Sequence, residues 1–181
     1  MTENPTTITL LRVGMSGQRV PPPNTLVIFG ATGDLTHRKL VPALFDLDCD
    51  ARLPSPFSVV GFARREKSDA RFRAEMRESV QQFARHKPAA ASDRWEKFAQ
   101  GLFYHQSDFH TAEGYTRLAQ RLGELDSARG TQGNRLFYLA TAPEYYAVIV
   151  DQLNTANLVQ PAGAWERVIV EKPFGSDLPS A

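Results

Sequence analysis

The segment Thr25-Leu-Val-Ile-Phe-Gly30-Ala-Thr-Gly33-Asp34-Leu35 sets an unbroken apolar run directly against a glycine turn and then a helical pattern. Four consecutive apolar residues, Leu26 to Phe29, suit a strand covered on both faces, as in a parallel sheet. Gly30 and Gly33 let the backbone turn tightly and approach a ligand where a Cβ would intrude. Strand, glycine turn and helix start, in that order, make a seat for phosphate. The first N–H groups of a helix have no partner within it, and the helix dipole favours an anion there. The spacing is G-x-x-G, with Thr32 and Leu35 where a dinucleotide fingerprint G-x-G-x-x-G would carry its second and third glycines. Taken alone, the turn says only that a nucleotide phosphate fits.

The rest of the chain alternates in the same manner. Strands are expected at about 26–30, 57–62, 102–104, 136–139 and 168–170. Between them lie helical patterns at 34–48, from Ser68 or Asp69 to Phe83, after Ser92, around Tyr115–Leu125, and at 143–153. Pro42 interrupts the first helix and should kink it or restart it at the N1 position. Such alternation predicts an α/β fold: a doubly wound, mostly parallel Rossmann-like sheet with helices on both faces. With 42% hydrophobic residues, the 181-residue chain can fill one such core. Residues 25–181 are read as that domain, and 1–24 as a flexible arm stiffened by Pro21-Pro22-Pro23. Phe72, Met76, Val80 and Phe83 at helical spacing are expected in the core, and Arg71, Arg73, Arg77 and Arg85 on the solvated face.

Charge and cysteine content exclude several function classes. A formal net charge of +1 offers no bulk attraction to nucleic acid or an anionic membrane. One cysteine, Cys49, rules out an internal disulfide framework. The four histidines (His37, His86, His105, His110) show no metal-ligand spacing. No apolar run approaches the ~18 residues of a membrane span, and Met1–Asn24 has no signal-peptide pattern. A cytoplasmic location is therefore expected.

Three places could carry chemistry. The second strand ends Gly61-Phe-Ala-Arg64-Arg65, with no acid before Glu66. A carboxylate there would bind the ribose 2′-hydroxyl of NAD, whereas a guanidinium suits the 2′-phosphate of NADP. Lys39 lies six residues past Gly33 and could point beyond the phosphates toward an anionic substrate; by spacing alone it could equally be solvated. Lys172 follows the last strand, and strand carboxyl ends form the ligand crevice of open α/β sheets. No tyrosine is followed four residues on by lysine, which argues against a short-chain reductase. No G-x-x-x-x-G-K-[ST] is present, which excludes a P-loop.

Together, Gly30-Ala-Thr-Gly-Asp-Leu-Thr-His-Arg-Lys39-Leu, Gly61-Phe-Ala-Arg64, Asn134-Arg-Leu-Phe-Tyr-Leu-Ala with Pro143, and Glu171-Lys-Pro-Phe-Gly175 resemble the coenzyme domain of the glucose-6-phosphate dehydrogenase family over about 25–181. The resemblance implies that Gly30, Thr32, Gly33, Asp34 and Leu35 surround the NADP pyrophosphate and that Arg64 grips the 2′-phosphate. It places Ala142 and Pro143 near the nicotinamide. Lys39 and Lys172 would reach the sugar phosphate and the reacting end, with Pro173 in the cis form. The implied reaction moves a hydride from C1 of glucose 6-phosphate to NADP, giving 6-phosphogluconolactone, in the oxidative pentose phosphate pathway. In that family a histidine takes the C1 hydroxyl proton. Its His-Tyr-Leu-Gly-Lys motif would follow the last segment, yet Ser176 and Asp177 only begin a helix before Ala181. The chain is thus expected to be an N-terminal fragment, lacking the substrate and dimer-forming domain and inactive by itself. The alternative is a stand-alone NADP-binding or sensing module.

Overall fold

A strand with every residue buried must have both its faces and both its edges covered, and β1 (Asn24–Phe29) meets that demand. Parallel neighbours bond it on both sides: β2 (Phe57–Ala63) with Val27 beside Val60, and β4 (Arg135–Leu139) with Val27 beside Phe137. The computed structural model describes residues 20–89, 93–159 and 163–172. Within them β3 (Leu102–Gln106) and β5 (Glu166–Val170) complete a five-stranded sheet, parallel throughout, in the order β3-β2-β1-β4-β5. The chain steps outward from β1 to β3 and then crosses back to β4. The direction of progress thus reverses between β1 and β4, where open α/β sheets form their crevice. The expected strands are all present, and β1 begins at Asn24, ahead of the expected start.

Period-two side chains divide the core into two layers. Leu26, Ile28 and Val59 pack against α1 (Val41–Cys49), α2 (Asp69–Phe83) and α3 (Asp93–Ala99), which contribute Phe45, Phe72, Met76 and Trp95. On the opposite face Val27, Phe29, Val60 and Phe62 meet α4 (Ala112–Arg129) and α5 (Tyr146–Thr155) through Tyr115, Leu118, Leu122, Ile149 and Leu153. The sheet is doubly wound, as expected. Gly61 sets how closely one layer approaches: a Cβ there would lie 2.8 Å from both the Ala31 Cβ and the Phe72 ring. No helix among the described residues is long and apolar enough to cross a membrane.

Local sequence explains the helix ends. The Ser68 hydroxyl accepts the Arg71 N–H at 3.1 Å and caps α2, while Gly130, at φ +73°, closes α4. The Ser92 cap expected for α3 lies outside the described residues. The helical run from Asp34 neither simply kinks nor restarts at N1. It widens into a π turn, Thr36–Leu40, and resumes as α1 with Pro42 at the second position. Proline has no N–H to give the preceding turn, and one turn of π geometry absorbs the mismatch. A 3-10 turn, Pro143–Tyr145, likewise precedes α5.

Two expectations are corrected. Phe83 is 37% exposed, because at the last residue of α2 it has passed the edge of the layer; its ring lies 5.4 Å from the Arg38 guanidinium. The arginines of α2 and its exit are also more than a solvated face. Arg73 donates to the Leu102 carbonyl at 2.8 Å, and Arg85 pairs with Asp46 and Asp50.

One ion pair ties α4 to β4. Asp126 accepts from the guanidinium of the buried Arg135, at 2.8 Å through Nη1, and from the Thr131 hydroxyl. Burial pushes the Asp126 carboxyl up, but the bonds from Arg135 and Thr131 outweigh it and hold the group below the usual carboxylate range. A carboxyl depressed in the folded state stabilises fully above its unfolded value of about 3.9, and less as pH falls through the folded value. Asp126→Asn should therefore cost about 1–3 kcal/mol at pH 6. In urea unfolding from pH 6 to pH 2, the gap from wild type should shrink below about pH 4; a gap that stays constant would show that Asp126 is not the titrating partner.

Candidate functional site

The glycine turn after β1 is bolted to both neighbouring strands. Gly30 and Ala31 both donate to the Phe62 carbonyl, at 3.0 and 3.2 Å, while Ala140 donates to the Phe29 carbonyl at 3.0 Å. Gly30 adopts φ +84°, and any Cβ there would run into the Ala140 carbonyl oxygen, so only glycine fits. The turn closes on itself through the Gly33 N–H to Gly30 carbonyl bond at 2.8 Å. The buried Thr36 hydroxyl also donates to that carbonyl, at 3.3 Å. The helical run opens at Asp34 immediately beyond. The first amides of a helix have no partner within it, so this start is a place where an anion fits.

At the end of β2 the two arginines diverge, as successive residues leaving a strand do. Arg64 turns toward β3, its Nε 3.9 Å from Asp108 Oδ2, and stays largely exposed. Arg65 lines a cleft of about 500 Å³ together with Thr32, Gly33, His37, Arg38 and Lys67. Lys67 is engaged by Glu75, which also accepts from Arg71 at 2.9 Å. Burial pushes the Glu75 carboxyl up, and the bonds from Lys67 and Arg71 bring it below its ordinary value. Arg65 has no ion pair among the described residues, so its charge is available to a ligand. His37 bonds Ser79 Oγ at 3.0 Å; burial and then the Lys67 charge lower its pKa, so the ring is neutral near pH 7. Sequence reasoning names Arg64 alone, because the pleat phase that turns Arg65 into this cleft is not visible in so short a run.

Across the turn, Ala142 and Pro143 stand exposed after β4, two and three residues past Ala140. Lys172 is exposed after β5, and the residue before it is held twice. Tyr138 of β4 donates to Glu171 Oε1, and Tyr146 at the start of α5 donates to the Glu171 carbonyl at 3.1 Å. Burial first, and the Glu171 bond next, push the Tyr138 phenol up to about 12. These tyrosines fix the backbone that delivers Lys172, and no spacing rule connects them to it. Pro173, with everything after Lys172, lies outside the described residues.

The structure thus gathers Gly30, Thr32, Gly33, Asp34, Leu35, Arg64, Ala142, Pro143 and Lys172 along the carboxyl ends of β1, β2, β4 and β5. Lys39 is exposed on the π turn and is not among the residues lining the cleft at Arg65. His105 is buried, its Nε2 2.9 Å from the Gly114 carbonyl, and burial lowers its pKa. A larger cavity, about 850 Å³, opens among Phe57, Gly101, Leu102 and Arg129. It lies at the amino ends of β2 and β3, away from the crevice side of an open α/β sheet.

The family model described as "Glucose-6-phosphate dehydrogenase, NAD binding domain" matches residues 27–181. A glucose-6-phosphate 1-dehydrogenase of Chlamydia pneumoniae is 52% identical over 173 residues, covering 93% of this chain and 33% of that protein. One from Bacillus subtilis is 36% identical over 88% of the chain and 31% of the relative. Among solved structures, a glucose-6-phosphate dehydrogenase in complex with its substrate glucose-6-phosphate superposes with a TM-score of 0.75 at 32% identity, over 92% of this chain and 33% of that one. The chain spans about a third of the length of the curated relatives it matches. On these grounds, the chain belongs to the glucose-6-phosphate dehydrogenase family, and corresponds to its NAD-binding domain.

Proposed function

We propose that this chain is the coenzyme-binding portion of a glucose-6-phosphate dehydrogenase and that it binds NADP in preference to NAD. The observation that carries the reading is the locked glycine turn between β1 and β4, with two arginines at the end of β2 and no carboxylate in their place. The donor set fits the cofactor: the helix start supplies N–H groups for a pyrophosphate, and Arg64 and Arg65 offer permanent charge for a 2′-phosphate. When bound, the nicotinamide would supply the hydride acceptor for oxidation at C1 of glucose 6-phosphate. The chain's own work is positional. Gly30 and Gly33 bring the backbone close, Ala142 and Pro143 border the nicotinamide side, and the Tyr138–Glu171–Tyr146 clamp presents Lys172 toward the anionic substrate.

A charge-assisted hydrogen bond contributes about 1.5–3 kcal/mol, or roughly a tenfold to hundredfold change in affinity. Arg64→Ala and Arg65→Ala should each weaken NADP binding in that range while leaving NAD binding within about twofold. Isothermal titration with both nucleotides checks this, and unchanged NADP affinity in both variants would remove the assignment. The general base that the family resemblance implies is not matched by His37, His86, His105 or His110. Purified 181-residue protein should accordingly bind NADP without reducing it in the presence of glucose 6-phosphate; absorbance at the NADPH band reads the outcome, and steady turnover would contradict it.

A further inference from the structure

β3 is an edge strand, and side chains of the same chain hold the outward backbone groups at its centre. Gly101 accepts from Val59, and Ser107 donates to Ala63, so the odd-numbered residues of this stretch face β2. In a parallel strand the alternate residues, Leu102, Tyr104 and Gln106, then direct their N–H and C=O groups outward. The outward carbonyl of Leu102 accepts from Arg73 Nε at 2.8 Å. The outward N–H of Tyr104 donates to Asp69 Oδ1 at 2.7 Å, and its carbonyl accepts from Arg121 Nη1 at 2.7 Å. Arg121 also holds both Asp69 oxygens at 2.8 Å, which joins donor and acceptor into one unit.

The cap reaches over from both layers: Asp69 and Arg73 belong to α2 on one face, Arg121 to α4 on the other. Arg73, Arg121 and Arg129 place their guanidiniums 5.5, 5.8 and 5.8 Å from the Phe103 ring, and so cover the strand's partly buried aromatic. The other edge differs. Among the described residues no side chain bonds the outward backbone groups of Val168 in β5, whose side chain is 40% exposed.

β3 needs such closure. Leu102-Phe-Tyr-His-Gln106 has two aromatic residues, no proline and no lysine, arginine or carboxylate, a composition that pairs readily with a copy of itself. We propose that the Asp69–Arg73–Arg121 cap keeps the β3 edge closed against strand pairing with a second copy of this chain, and that this edge becomes a self-association surface when the cap is removed.

The test is the 181-residue protein carrying Arg73→Ala and Arg121→Ala together, compared with wild type by light scattering across a concentration series. Self-association at least tenfold stronger than wild type is expected, at unchanged circular dichroism. Adding Gln106→Pro, which removes an outward N–H at an exposed position, should reverse the gain. A folded double variant that associates no more than wild type would overturn the proposal, as would association insensitive to Gln106→Pro. If the double variant does not fold, Asp69→Ala with amide hydrogen exchange decides. The Tyr104 amide should exchange at least tenfold faster while Phe103 and His105, bonded to β2, keep their rates; an unchanged Tyr104 rate would overturn the cap.

Discussion

The close crossing of Gly30 beneath the Ala140 carbonyl is the contact on which the candidate site depends. β1 and β4 are neighbours only because the chain, having built outward to β3, returns to the other side of β1. At that reversal two strand exits must diverge without obstructing one another, and a side chain at position 30 would fill the space between them. The φ of +84° adds a second reason, since a β-carbon in that region costs on the order of 1–3 kcal/mol. In the proposed reading, the helix dipole, the first-turn amides and the arginines that follow β2 act on the dinucleotide together because this crossing holds the turn in one place.

Around that point the charges are sorted by whether they already have partners. Lys67 is consumed by Glu75, Arg121 by Asp69 and Arg135 by Asp126, each tying one element to another. Arg65 has no ion pair among the described residues, and Arg64 reaches its acid only at 3.9 Å. Both sit at the carboxyl end of β2. Structural ion pairs hold the layers and the β3 edge, whereas the guanidiniums left at the crevice are those whose charge an anion can still use. The same separation accounts for the tyrosines at β5: Tyr138 and Tyr146 spend their hydroxyls on Glu171, leaving Lys172 exposed.

Much of this was legible in the sequence because burial on both faces demands recognisable patterns. Leu26–Phe29 could only be a central strand, and the alternation of strands with amphipathic segments set the doubly wound fold. Arg64 was open to nomination from sequence, because the end of the second strand is where a 2′-phosphate contact is proposed in such sheets. Arg65 was not, since the side on which it falls depends on the phase of the pleat, which a short run does not reveal. The Tyr138–Glu171 bond joins residues 33 apart in sequence and follows from the β4–β5 register alone. Phe83 shows the limit of periodicity: the spacing is helical, but the layer beneath ends one turn earlier. Pro42 announced an irregularity without specifying a π turn, because a kink, a restart and a widened turn all answer a missing N–H.

The central claim is that a dinucleotide lies across the turn at the β1–β4 reversal. A titration of ¹⁵N-labelled protein with NADP, followed by amide chemical shifts, tests it most directly. The account predicts the largest shifts at Gly30–Leu35, Arg64, Arg65, Ala142 and Lys172, with Phe57, Gly101 and Arg129 unmoved. Shifts concentrated at those last three residues, at the opposite end of the sheet, or no shifts at saturating NADP, would contradict it.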